Sequence, residues 1–287
     1  MPEEVLPRGL SSDGTRSRGH ARGLGASKLG PQRAWRKELP LLWWILPAVV
    51  VGTILQRISG TGVGLVVAPV FTLILGGASG IFLANLTTAV SGALLTVALW
   101  RSVNWKQWRL LCLSAVLGTV PGAVLVRLAP GPVLQLIVGS VVALALVVTL
   151  AGKQTRAVQG SGVGVVSGAA GGLLNVTAGV AAPAMVIYSR VTSWRQTEYA
   201  ATMQPVFMTL GLMSLVAKWS VGAVHGAALP APWLLPGVAL SVVVGLVMGR
   251  PLVRRISPNI ARTLALTLAG AGAALTIGKG ILGLMMT

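Results

Sequence analysis

The fold of this chain turns on Ser59-Gly60-Thr61-Gly62-Val63-Gly64-Leu65-Val66-Val67-Ala68-Pro69, a glycine-rich stretch closed by proline inside an apolar region. A second stretch of the same character follows half a chain later: Ser167-Gly168-Ala169-Ala170-Gly171-Gly172-Leu173-Leu174-Asn175-Val176-Thr177-Ala178-Gly179-Val180-Ala181-Ala182-Pro183. Glycine tolerates backbone conformations that L side chains avoid, and proline lacks an amide donor, so each stretch is expected to break a helix. In hydrocarbon a broken helix survives only where protein or a water-lined cavity surrounds it. Breaks at corresponding places in two halves of a chain point to a transporter's binding site.

Composition fixes the class around these breaks. Apolar residues make up 54% of the 287 residues and charged ones 10%, with a mean hydropathy of +0.81. From Leu39 onward, uncharged runs of about twenty residues recur, the length that crosses a bilayer as helix. The chain therefore reads as an all-α, polytopic integral membrane protein with about 8–10 membrane segments, some of them short and broken or re-entrant. A β-barrel would alternate apolar and polar residues, whereas Val133 to Leu150 and Leu264 to Ile277 are apolar on nearly every face.

The charge balance narrows the cargo. There are 23 Lys and Arg against 5 Asp and Glu. Eight of the bases and four of the acids (Glu3, Glu4, Asp13, Glu38) lie in residues 1–38, which leaves fifteen bases and Glu198 alone, a net +14, for the rest. Most of that excess sets orientation by the positive-inside rule; what remains favours an anion, since a cation site would offer carboxylates. The bases are scattered among apolar spans and form no face for nucleic acid. Cys112 is the single cysteine, and the two histidines, His20 and His225, lie in the tail and a loop. No cysteine or histidine metal site, no Ser-His-Asp triad and no phosphate-binding Gly-x-x-x-x-Gly-Lys-Ser/Thr motif can be assembled, so neither an enzyme nor a cofactor is expected.

Residues 1–38, rich in Gly, Ser and Arg, are expected to be a disordered basic tail. The first membrane repeat then spans 39–151, the polar stretch 152–160 links the halves, and the second repeat spans 161–287. The first half reads as Leu39 to Ile58, a short piece from Leu65 to Leu75, then Ile81 to Trp100, Leu110 to Leu128 and Val133 to Leu150. Duplication shows in matched residues: Pro69 and Pro183, Thr88 and Thr202, and Trp105 and Trp219 are each 114 apart, and Gly118 to Arg127 matches Gly245 to Arg254 at 127. Ser59-Gly60 aligns with Ser167-Gly168 at 108, which implies a six-residue insertion before Pro183 that includes Asn175 and Thr177. About five segments per half, an odd number, would invert the second copy.

A short helix that starts at a break exposes unpaired N–H groups and the positive end of its dipole. Glycines would let an anion approach that backbone, and neutral hydroxyls and amides would bind it weakly enough for release. The candidate substrate-binding residues are Thr61, Gly62, Gly64, Thr87, Thr88, Asn175, Thr177, Gly179, Thr202 and Gln204, with Glu198 as the one carboxylate for proton coupling. The competing reading is that the small residues serve close helix packing and that the threonine hydroxyls bond back to their own helices.

The stretch from Gln56 to Phe71, the Ser-Gly-x-x-Gly-Gly…Ala-Pro echo and the two-half layout resemble the sulfite exporter TauE/SafE family, over about residues 42 to 285. The chain departs from the family's triple glycine with Gly62-Val63-Gly64 in the first copy, and with Leu-Leu-Asn-Val-Thr-Ala after Gly171-Gly172 in the second. The resemblance implies secondary transport, in the export direction, of sulfite, a sulfonate or another small sulfur-containing or organic anion across a bacterial cytoplasmic membrane. The expected partners are that anion and the lipid bilayer, with self-association into a homo-oligomer left open. An anion channel and a non-transporting membrane scaffold are the alternatives.

Overall fold

The computed structural model describes residues 31–60, 63–151, 160–223 and 234–286. Among them there are ten α-helices and no strand. In chain order these are α1 (Pro31–Ser59), α2 (Gly64–Leu75), α3 (Gly77–Leu99), α4 (Trp105–Leu128), α5 (Gly131–Ala151), α6 (Ser161–Ala178), α7 (Ala182–Val191), α8 (Gln196–Ser220), α9 (Leu234–Arg255) and α10 (Pro258–Met285). A single 3-10 turn, Trp100–Ser102, joins α3 to α4. Residues Pro40–Thr287 form one compact unit, separate from Met1–Leu39.

Seven helices are long and apolar enough to cross a membrane: α3, α4, α5, α6, α8 and most of α9 and α10. Trp44–Ile58 and Gly64–Leu75 are shorter apolar helices, and α7 has only 10 residues. Helix ends follow local chemistry. Asn104 caps α4 by accepting from the Gln107 N–H at 3.1 Å, and Ser257 caps α10 by accepting from the Ile260 N–H at 3.3 Å, with Pro258 in the first turn.

The helices pack with small residues inside and large ones outside, the arrangement expected where lipid removes the reward for hiding leucine. On α4 the inward positions are Ser114, Ala115, Gly118 and Gly122, all buried, while Leu113, Leu117, Val120 and Leu128 are exposed. Its partner along this seam is α6. A methyl group added at Gly118 would lie 1.9 Å from the Ala169 carbonyl oxygen, at Gly172 2.1 Å from that of Ala115, and at Gly168 2.5 Å from that of Leu111. The two backbones therefore touch, and only glycine permits it.

This seam corrects the reading of the second glycine run. Ser167 to Ala178 is continuous helix, and the break is confined to Gly179, Val180 and Ala181. Gly168 and Gly172 are there for helix contact with α4, so they were free to remain helical despite their low intrinsic propensity. Two boundaries also move. α1 begins at Pro31, inside the stretch expected to be a disordered tail, where proline suits a first helical position and Gln32 to Glu38 are helix formers. The prolines 114 residues apart hold different places: Pro69 is within α2, Pro183 in the first turn of α7.

Candidate functional site

The two breaks are built alike. Gly60 follows α1 with φ +73° and donates its N–H to Gln56 O at 2.8 Å; Gly179 follows α6 with φ +72° and donates to Asn175 O at 2.8 Å. Both are left-handed C-terminal stops that non-glycine residues avoid. The breaks also meet. A methyl group on Gly64, the first residue of α2, would lie 2.3 Å from Gly179 O and 3.2 Å from Thr88 Oγ1.

One turn before each stop sits a buried amide that reaches across to the α3–α8 pair. Gln56 Nε2 donates to Gln204 Oε1 at 2.8 Å, and Gln204 Nε2 is spent on Ala200 O at 2.9 Å. Asn175 Nδ2 donates to Ser214 Oγ at 2.9 Å, and Asn85 lies beside it. The helices α3 and α8 cross at glycines: a methyl on Gly92 would meet Gln204 O at 2.8 Å, and one on Gly211 would meet Asn85 O at 2.7 Å.

Around Asn175 the polar groups converge on a charge. With its amide oxygen turned toward α8, Asn85 accepts a hydrogen bond from Lys218 Nζ at 2.7 Å and donates to Asn175 O at 3.2 Å. Asn85, Asn175, Ser214 and Lys218 are each at most 1% exposed. The Lys218 ammonium has three donors, of which Asn85 takes one. Asn175 Oδ1 is buried and has no partner. Among the described residues the only ion pair is Arg195 with Glu198 at 3.4 Å, so no carboxylate neutralises Lys218. An ammonium buried here without a counter-charge would cost several kcal/mol, so a lysine at this position is not there for stability.

The residues expected from sequence divide on this geometry. Asn175, Gly179 and Gly64 lie at the junction of the breaks. Thr61 and Gly62 lie outside the described residues. Thr87, Thr88 and Thr177 donate to Leu83 O, Ala84 O and Leu173 O at 2.8, 2.8 and 2.7 Å, so each hydroxyl's only proton is spent within its own helix. Gln204 is held in the Gln56 pair. Thr202 and Glu198 lie toward the start of α8: Thr202 Oγ1 accepts from Asn104 N at 2.9 Å, and Glu198 accepts from Asn104 Nδ2 at 2.6 Å. An open cavity of about 500 Å³ at that end is lined by Arg101, Asn104, Arg195 and Glu198 among others. Glu198 and Lys218 are twenty residues apart on α8, about 30 Å along the axis at 1.5 Å per residue. Sequence reasoning missed Lys218, Ser214 and the role of Asn85. The available signal was helical spacing, because Gly211, Ser214 and Lys218 share one face of α8.

Apolar spanning helices, two short broken helices meeting at left-handed glycines and a charged polar cluster buried at that junction define a polytopic membrane protein of the transporter type. The chain belongs to the sulfite exporter TauE/SafE family, whose model matches residues 44–275, and is a multi-pass membrane transporter. No curated protein and no solved structure matches it.

Proposed function

We propose that the chain is a secondary transporter of a small anion, held at Lys218 with Asn85, Asn175 and Ser214 and moved across a bacterial cytoplasmic membrane. The observation that carries this reading is the buried Lys218 side chain, whose Nζ donates to Asn85 within the Asn85–Asn175–Ser214 cluster and meets no carboxylate among the described residues. An anion supplies the missing counter-charge, and the spare donors on Nζ receive its oxygens. Neutral neighbours keep the complex weak enough to release its cargo.

The two halves would act as one inverted pair, in a register of 119 residues rather than 114 or 108. Gly60 and Gly179, Gln56 and Asn175, Asn85 and Gln204, and Gly92 and Gly211 all stand at that separation, and each pair holds matching contacts. The second half has the ammonium; position 99, its counterpart in the first, is leucine.

The test is uptake by proteoliposomes of sulfite, sulfate, thiosulfate, a sulfonate and acetate. Saturable flux with counterflow, reduced at least tenfold in both Asn175→Ala and Lys218→Met, is the expected result. Undiminished flux in Lys218→Met removes the site, and flux without saturation or counterflow turns the reading to a channel.

A further inference from the structure

We infer that Lys218 Nζ carries the coupling proton: it is an ammonium when the anion is bound and an amine when the site is empty, so each anion travels with one proton in the same direction. This rests on the assignment of the anion site to the same cluster.

Loaded, the site holds an ammonium and an anion, which neutralise each other. When the anion leaves, the ammonium would remain buried with Asn85 as its partner, in a cluster whose other members, Asn175 and Ser214, are also uncharged and at most 1% exposed. Amide dipoles and one hydroxyl do not replace a counter-charge in a low-dielectric interior. Lysine, unlike arginine, has a readily available neutral form. The proton therefore leaves with the anion, Nζ keeps its lone pair, and the neutral empty carrier returns. The next proton and anion restore the loaded state.

Among the described residues, no other titratable group is found against Nζ to take this role. The helices that supply Asn85 and Asn175, α3 and α6, contain no ionisable side chain. On α4, Lys106 and Arg109 flank Trp108, whose indole N–H reaches Pro205 O and Thr209 Oγ1 in the first half of α8, while Arg127 is exposed. Arg101 of the 3-10 turn lines the cavity at the Glu198 end. On α8 itself, Glu198 and Tyr199 stand at that same far end.

The experiment uses the full chain in proteoliposomes, with the potential clamped at zero and the lumen one pH unit more alkaline than outside. The probes are methanesulfonate and ethanesulfonate, permanent monovalent anions that bring no proton of their own. Wild type is expected to accumulate the anion it carries about tenfold, the ratio at which one proton per anion balances one pH unit. Glu198→Gln is expected to keep that ratio. In Lys218→Arg the exchange rate is free to fall, but whatever exchange remains should equilibrate at a ratio near one, because guanidinium holds its proton. Wild-type exchange that ignores the pH gradient, a tenfold ratio in Lys218→Arg, or loss of the ratio in Glu198→Gln with exchange intact would each overturn the proton assignment and leave the anion site standing. Wild type that exchanges no anion of the panel overturns both readings.

Discussion

Substituting Gly172 by alanine tests the α4–α6 seam, and the size of the effect can be worked from the contact. The new methyl would lie 2.1 Å from Ala115 O and 2.8 Å from Thr119 Oγ1. Carbon and carbonyl oxygen at helix interfaces settle at about 3.3–3.6 Å, so α6 has to retreat by about 1.2 Å. It cannot retreat locally, because Gly168 and Ala169 lean on Leu111 and Gly118 one turn away. Overpacking of this kind costs about 1–3 kcal/mol, against a gain of about 1 kcal/mol that alanine brings to a helix interior. A net loss of up to about 2 kcal/mol is expected, toward the upper end because the backbones cannot relax locally. The same helix supplies the control, since Gly162 is exposed and a methyl there meets nothing within 4 Å. Gly162→Ala should lose nothing. Thermal unfolding of the purified protein in detergent should then place Gly172→Ala below Gly162→Ala by up to about 8 °C, at about 2–4 °C per kcal/mol for a chain of this size. If Gly172→Ala melts with Gly162→Ala, the helices do not touch as described, and the glycine run returns to being a break.

The remaining predictions concern the buried amides and the single thiol. Gln56→Leu or Gln204→Leu alone strands a buried amide and should cost about 1–3 kcal/mol, whereas the double variant should recover much of the loss. Strictly additive melting shifts would show that the two amides do not pair. Cys112, 6% exposed on the inward face of α4, should resist maleimide in native micelles and label fully on denaturation. Rapid native labelling would mean that α4 is rotated from the orientation described.

Much of the fold was legible because hydrocarbon leaves the backbone few options. Runs of apolar residues about twenty long had to be helices, and the short Leu65 to Leu75 piece is found within α2, Gly64–Leu75. What composition could not tell apart was a glycine that breaks a helix from a glycine that lets two helices touch. Gly168 and Gly179 have the same flanking hydrophobicity. Only the partner decides: Gly168 sits against α4 in helical conformation, while Gly179 turns left-handed at φ +72°.

The site was legible only in part, and for a physical reason. Asn175 stood out because an amide in lipid needs a partner whatever the fold, and its Nδ2 donates to Ser214 Oγ. Lys218 was missed because it stands beside Trp219 near the end of a span, the combination that usually marks a membrane interface, where a lysine reaches water and costs little. Position along the helix gave that reading; position around it gives the opposite one. Trp219 is 57% exposed and faces outward, while Lys218, one residue back and 100° around α8, lies on the Gly211–Ser214 face at 1% exposure. On a face of glycine and serine a lysine has no apolar surface along which to reach water, so it either meets an anion or gives up its proton. Lys218→Met distinguishes this from an interfacial anchor. An anchor would be replaced with little change in flux, whereas the loss of a buried charge that holds cargo abolishes saturable transport while leaving the fold at least as stable, because a thioether carries no desolvation cost.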